Sequence, residues 1–357
     1  MRHDKKILTA VIAAMALSSC IRHRKPMAEP AGGMPLLRPV PASGITSPKQ
    51  DMRGLLNAIK FGNEAERLDA SKRLMETAGA SVSAILLDEL RGRNPETQLI
   101  CASALANLAD ARAVPVLIGL VGQDHPYGFD LFVFLAGFGD SRAVPIMEKM
   151  LESDDPAFRA AAAEGLGKAG SVASANRLIG MLKDKEAPVR NKAALALGIL
   201  KAPDAALPLV LALEDKSDYV RASAISALGK LGEPAIPLLF NAIVFGNPDY
   251  HLQYMESLMA MEGMAVPSLI DALSHPDNTL RSYAARSLGN IGDSRAEAAL
   301  ISALKDKAPA VRGDAANALR MMKAPGALLV LKELAGNDPN EFVRAASEAA
   351  IRSISGQ

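Results

Sequence analysis

Val189-Arg190-Asn191-Lys192-Ala193-Ala194-Leu195-Ala196-Leu197-Gly198 is the stretch that decides the fold. A β-branched residue and an arginine open it, alanines fill it, and Leu-Gly closes it. Phe158-Arg159, Val220-Arg221, Leu280-Arg281, Val311-Arg312 and Val343-Arg344 open further copies. With the weaker copies, the first slot falls at 66, 97, 127, 158, 189, 220, 250, 280, 311 and 343, a step of 30 to 32 residues. A period of this length marks a solenoid, whose units bury their apolar faces only by stacking on one another.

Composition fits that reading. A chain of 357 residues is long for one core, but a repeat array lengthens without enlarging its core. Aromatic residues make up only 4% and Trp is absent, which suits thin helices packed in uniform layers. The formal net charge is +1, and loss of Arg2, Asp4, Lys5 and Lys6 with a leader would leave −1. So neutral a chain has no long-range attraction for polyanions.

Each repeat reads as two antiparallel helices. The first starts near a proline, as at Val114-Pro115, Val144-Pro145, Leu207-Pro208, Ile236-Pro237 and Val266-Pro267. Proline suits a first helical turn because its missing N–H has no partner there to lose. Apolar residues follow at helical spacing (Leu178, Ile179, Leu182), then a loop with Asp or Pro, then the alanine-rich second helix. Gly139, Gly170, Gly232 and Gly292 stand where a helix end needs a left-handed residue. Asp110-Ala111-Arg112, Asp140-Ser141-Arg142 and Asp293-Ser294-Arg295 recur between repeats.

Together these features resemble HEAT repeats of the phycobilisome-lyase type over residues 51–357. The resemblance implies an all-α fold, a right-handed α-solenoid of about ten HEAT-like two-helix repeats. It also implies a role for Arg159, Arg190, Arg221, Arg281, Arg312 and Arg344, each of which follows an acidic loop by a few residues. In HEAT proteins such residues form a ladder of ion pairs between repeats. A basic stripe gripping phosphate is the competing reading.

The amino terminus reads as an export signal. Arg2, Lys5 and Lys6 precede the apolar run Ile7 to Leu17, too short to span a bilayer and of signal-peptide length. Leu17-Ser18-Ser19-Cys20 resembles the bacterial lipobox, which implies residues 1–19 as a lipoprotein signal peptide and Cys20 as the acylated first residue of the mature chain. An ordinary secretory signal with a chance cysteine, or a cytosolic chain with an apolar start, are the alternatives. Ile21 rather than Asp after the cysteine points, by the enterobacterial sorting pattern, to the outer membrane; the expected place is its periplasmic face, with the inner membrane or the cell surface as alternatives. Arg22, His23, Arg24 and Lys25 would then lie at lipid headgroups or be solvated linker charge. Residues 20–50 are rich in Pro and Gly and read as a tether that places the solenoid roughly 30 Å from the anchor. Cys101, the other cysteine, is expected to be a small buried hydrophobe.

Two repeats break the phrase. The third reads Tyr127-Gly128-Phe129-Asp130-Leu131-Phe132-Val133-Phe134-Leu135, and four of the nine phenylalanines lie between 129 and 138. The seventh places His251 in the arginine slot of Tyr250-His251-Leu252-Gln253-Tyr254. Helical periodicity sends phrase positions 1, 5, 8 and 9 to the core and positions 3, 4 and 7 outward. By the HEAT resemblance the second helix lines the concave side. Leu99, Ile100, Phe129 and Val133 would then form an exposed apolar strip there, a candidate partner-binding surface. Local repacking by larger side chains is the alternative, and Phe134 is expected in the core.

Catalytic strings are absent. No H-E-x-x-H, C-x-x-C, G-x-S-x-G or P-loop occurs, and no His-Glu pairs of the kind that hold iron in HEAT-type deoxyhypusine hydroxylases. His125-Pro126 and His275-Pro276 occupy equivalent loops and are expected to be exposed turn residues. The resulting expectation is a scaffold or adaptor at the outer membrane that binds a protein partner, is no enzyme, and takes no cofactor, metal, nucleic acid or small-molecule substrate. The alternative is a lyase-type enzyme of the phycobilisome-lyase family, although that family acts on cytosolic pigment proteins. A nucleic-acid binder like the HEAT-type DNA glycosylases would need a basic groove and stacking aromatics.

Overall fold

The computed structural model describes residues 80–356 and isolated positions between 54 and 73. The signal peptide, Cys20, the tether and most of the first repeat lie outside the described residues. Among the described residues there are eighteen α-helices and no strands, in agreement with the all-α solenoid expected. The chain divides into two compact units, residues 1–143 and 144–357.

The first unit contains α1 (Ala80–Leu90), α2 (Pro95–Asn107), α3 (Val114–Val121) and α4 (Gly128–Phe138). The second unit runs α5 (Val144–Met150), α6 (Pro156–Lys168), α7 (Ala175–Met181), α8 (Ala187–Leu200), α9 (Ala206–Ala212), α10 (Asp218–Leu231) and α11 (Ile236–Phe245). It continues α12 (His251–Met259), α13 (Val266–Ala272), α14 (Asn278–Ile291), α15 (Glu297–Ala303), α16 (Pro309–Met322), α17 (Leu328–Asn337) and α18 (Glu341–Ser355). Odd-numbered helices are the first helices of a repeat and even-numbered ones the second.

Local chemistry punctuates each pair. Asp110 and Asp293 accept hydrogen bonds from the backbone N–H of Arg112 and Arg295, capping a single 3₁₀ turn. Proline then opens the first helix, as in α3, α11 and α13. The arginine of the same phrase folds back on its aspartate and reaches the preceding repeat. Arg142 donates to the Ala111 carbonyl at 2.8 Å, and Arg295 to that of Gly263 at 3.0 Å. Gly139, Gly170 and Gly292 end their helices with φ of 61°, 65° and 72°, the left-handed conformation expected.

The core of α8 shows the packing rule. Val189, Ala193, Ala194, Ala196 and Leu197 are buried, and so are Val311, Ala315, Ala316, Ala318 and Leu319 of α16. The tenth phrase position is glycine because successive second helices touch there. A Cβ on Gly198 would stand 2.6 Å from Ala227 Cα, and one on Gly289 would stand 2.5 Å from Ala318 Cα.

The arginine ladder is present in the second unit, with a direction the sequence did not reveal. Arg159, Arg190, Arg281 and Arg312 pair with the aspartate carboxylate of the following repeat's loop, not with a carboxylate of the loop before them. Arg190 donates through Nε and Nη2 to both carboxylate oxygens of Asp215, at 2.6 and 2.8 Å, while Nη1 binds the Asp184 carbonyl of its own loop at 2.8 Å. Arg159–Asp184, Arg281–Asp306 and Arg312–Asp338 repeat this bidentate geometry. Hydrogen bonds from Arg159 and Arg312 hold the Asp184 and Asp338 carboxyls below the ordinary value, against the opposing effect of burial. At Asp215 and Asp306 burial is the largest single influence and pushes upward, but the arginine and loop N–H bonds together bring the net shift down. Guanidinium groups engaged in this way are structural, which favours the ladder over a phosphate-gripping stripe.

The ladder is interrupted at the seventh repeat. Arg221 bonds Asp218 of its own helix and the Asp215 carbonyl of its own loop. His251 occupies the next arginine slot, packed edge-on against Tyr283 with ring centroids 5.2 Å apart. Its Nε2 is buried and has no hydrogen-bond partner.

Candidate partner-binding face

Second helices present one face that their first helices leave uncovered, and across it runs a second set of rungs. The third phrase position of one repeat meets the fourth of the next. Asn191 donates to Ser223 Oγ at 2.6 Å and to the Tyr219 carbonyl at 3.0 Å. Ser282 donates to Asp314 in the same register. Farther along this face Lys192 pairs with Glu164, which also pairs with Lys168.

In the first unit this register separates the four residues of the expected strip. Phe129 and Val133, one turn apart on α4, are 37% and 40% exposed. Ile100 is half-buried. Leu99 is only 1% exposed, which corrects its assignment to an exposed strip. The physical reason is that a third-position side chain points sideways at the next second helix, so Leu99 is closed in the groove between α2 and α4. Its register mate across that groove is Asp130, where α14 and α16 place a Ser–Asp hydrogen bond. Burial raises the carboxyl pKa of Asp130, opposed only by a bond from its own backbone N–H.

A second correction concerns the phenylalanine cluster. Phe134, expected in the core, is half-buried, whereas Phe132 is fully buried with Leu131 and Leu135. Phrase position 8 holds alanine in the regular repeats, where Ala196 and Ala227 lie against the glycine of the preceding helix. Such a slot is too shallow for a ring. Position 6, filled by Ala194 in α8, accepts Phe132, which is fully buried there.

The loop histidines are also not simple exposed turns. His125 Nδ1 accepts the Tyr127 backbone N–H at 3.1 Å, and His275 Nδ1 accepts that of Asp277 at 3.1 Å. His125 goes further and meets Gln98 Oε1 through Nε2 at 2.9 Å. Gln98 in turn donates to the Leu90 and Gly92 carbonyls. This pair is a neutral rung, with Gln98 in the arginine slot and His125 in the place of the aspartate. Glutamine in the second slot of the phrase was the only sequence signal for it. Cys101 is fully buried in α2, as expected of a small hydrophobe. Among the described residues no group of three or more His, Cys, Asp or Glu is placed to hold a metal ion, and no single helix is long and apolar enough to cross a membrane.

With the two-helix repeat and its ladder in view, sequence comparison gives the family. A profile described as HEAT repeats matches residues 134–198, 182–250 and 266–352, more than half of the chain. The chain belongs to the HEAT-repeat family. Among curated relatives, the phycocyanobilin lyase subunit beta of Pseudanabaena tenuis (strain PCC 7409) is 36% identical over 92 residues, 26% of this HEAT-repeat chain. The match spans 33% of that relative's length, about a third of it. An engineered protein of known structure is 19% identical with a TM-score of 0.45, over 85% of this chain and 99% of its own. The complex of CpcE and CpcF of phycocyanin lyase from Nostoc sp. PCC7120 is 19% identical with a TM-score of 0.38, over 76% and 94%. The curated relative corrects the expectation that this HEAT-repeat protein is no enzyme. A chain that shares its repeats is a lyase subunit, so missing catalytic strings do not set lyase chemistry aside.

Proposed function

We propose that this HEAT-repeat protein holds a protein partner on the uncovered face of its second helices around the third repeat, at the cell envelope. The observation that carries the reading is the contrast within α4. Val133 and Phe129 stay well exposed on one side of a helix whose other side, Leu131, Phe132 and Leu135, is completely closed. Apolar side chains left together on such a face are the usual mark of an interaction surface. A lipid on Cys20, retaining the protein at the outer membrane, and a tether over residues 20–50 complete the proposal. A photo-reactive residue at position 133 should cross-link to a discrete protein in cells, while the same residue at exposed Leu211 of α9 should not. Equal labelling from both positions would remove the support. Fatty-acid labelling that persists in Cys20→Ala would remove the anchor.

A second reading is favoured by the curated relative: the chain is a subunit of a lyase that attaches a bilin to a protein. Both readings require a held protein and differ in whether a bond is formed. Mixing the purified chain with phycocyanobilin and apo-phycocyanin, and reading bilin that survives denaturing electrophoresis, separates them.

A further inference from the structure

Two aspartates at the fourth phrase position, Asp314 and Asp130, differ in what the preceding repeat offers them. Asp314 receives a hydrogen bond from Ser282, the third-position residue opposite it in the preceding repeat, just as Ser223 receives one from Asn191. Asp130 occupies the fourth position of the third repeat and faces Leu99, whose side chain has only carbon to offer. Among the described residues no ion pair reaches Asp130, and the one bond acting on its carboxylate comes from its own N–H. Glu164, at an outward phrase position in the second unit, has two lysines.

A half-buried carboxylate without a counter-charge is costly, and solvent can relieve only part of that cost at such a site. Its neighbours make the vacancy specific. Phe129 precedes Asp130, and Val133 follows it one helical turn on, both well exposed. We infer that the partner segment brings a lysine or arginine to Asp130, bracketed by apolar side chains that cover Phe129 and Val133. The long stem of such a residue lies on apolar surface while its head reaches the carboxylate, and a guanidinium also gains from an aromatic face. An acidic segment, a nucleic acid or an anionic membrane would instead place negative charge against Asp130. The inference rests on the docking reading above and adds the charge of the partner.

Two fluorescent 14-residue amphipathic helices test it, one of leucine and lysine and one with glutamate for every lysine, titrated against the full chain by anisotropy. The lysine peptide should bind and the glutamate peptide should not. Asp130→Asn should weaken the lysine peptide at least tenfold, and Asp130→Glu should restore most of the loss. Val133→Gln should also weaken it, with the melting temperature lowered in none of the three variants. If Val133→Gln weakens binding but Asp130→Asn does not, or if the glutamate peptide binds equally well, the basic partner is overturned and the docking face stands. If neither variant changes binding, both fall.

Discussion

Gln98 and His125 join two successive repeats through one hydrogen bond of 2.9 Å, in the position where Arg190 and Asp215 make a bidentate ion pair. Because His125 Nδ1 accepts the Tyr127 N–H, Nε2 must carry the proton that Gln98 Oε1 receives. Protonation of the ring would place a second N–H against the Tyr127 donor. Burial already lowers the pKa of His125 from 6.5. A histidine with a depressed folded value contributes stability that is fully present above the unfolded value and is lost as pH falls through the folded one. Thermal midpoints should therefore drop from pH 7.5 to pH 5 more in the wild type than in His125→Asn. An NMR titration that puts His125 above 6.5 would contradict this.

The ladder pairs act with the opposite charge logic. The Arg312 and Asp338 side chains are 11% and 3% exposed, so removing the aspartate strands a buried guanidinium. Asp338→Ala should cost about 3 kcal/mol in urea unfolding. Arg142→Ala, at an exposed pair, should leave the midpoint nearly unchanged. The depressed Asp184 and Asp338 values mean that their stability is present above the ordinary carboxylate pKa and is lost as pH falls below it. Equal midpoints for Asp338→Ala and wild type would show that the rung carries no weight.

Glycine substitutions separate close approach from helix propensity. Gly198→Ala brings a methyl within 2.6 Å of Ala227 Cα and should destabilise by about 1–3 kcal/mol. Gly180, inside α7 with nothing near its missing Cβ, should stabilise by about 0.5–1 kcal/mol when changed to alanine. Midpoints moving in the same direction would refute the contact between second helices.

Much of this architecture was legible in the sequence, because period, proline, left-handed glycine and loop aspartate are all local signals. The period placed the helix pairs, and Gly139 and Gly292 marked helix ends correctly. What stayed hidden depends on the neighbouring repeat. Periodicity gives the direction of Leu99 about its own axis, but not the presence of α4 beside it. Phe132 and Phe134 exchange roles because slot depth is set by the preceding helix. The Gln98–His125 rung carries little sequence signal because neither residue is charged, and the direction of the arginine ladder is hidden because each arginine has acids on both sides in sequence.

The break at the seventh repeat should be visible in motion. Arg221 has no carboxylate partner in the next repeat, and the buried Nε2 of His251 has no partner at all. Without a rung on either side, α12 should open at lower free energy than α8 or α16, each of which sits in an unbroken stretch of ladder. Amide hydrogen exchange should show α12 exchanging faster than both. Slower exchange in α12 would mean that Tyr254, buried and bonded to Glu214 at 2.6 Å, more than compensates.

The most direct test of the docking face uses two adjacent residues of α4. Phe132 is fully buried and Val133 is 40% exposed. Val133→Asp and Phe132→Asp are each introduced into the full chain, and both the melting temperature and the amount of partner cross-linked in intact envelopes are measured. The account predicts that Val133→Asp leaves the melting temperature close to wild type while partner cross-linking is largely lost, and that Phe132→Asp unfolds its repeat. If Val133→Asp melts like the wild type and cross-links its partner just as well, the face around the third repeat does not bind it.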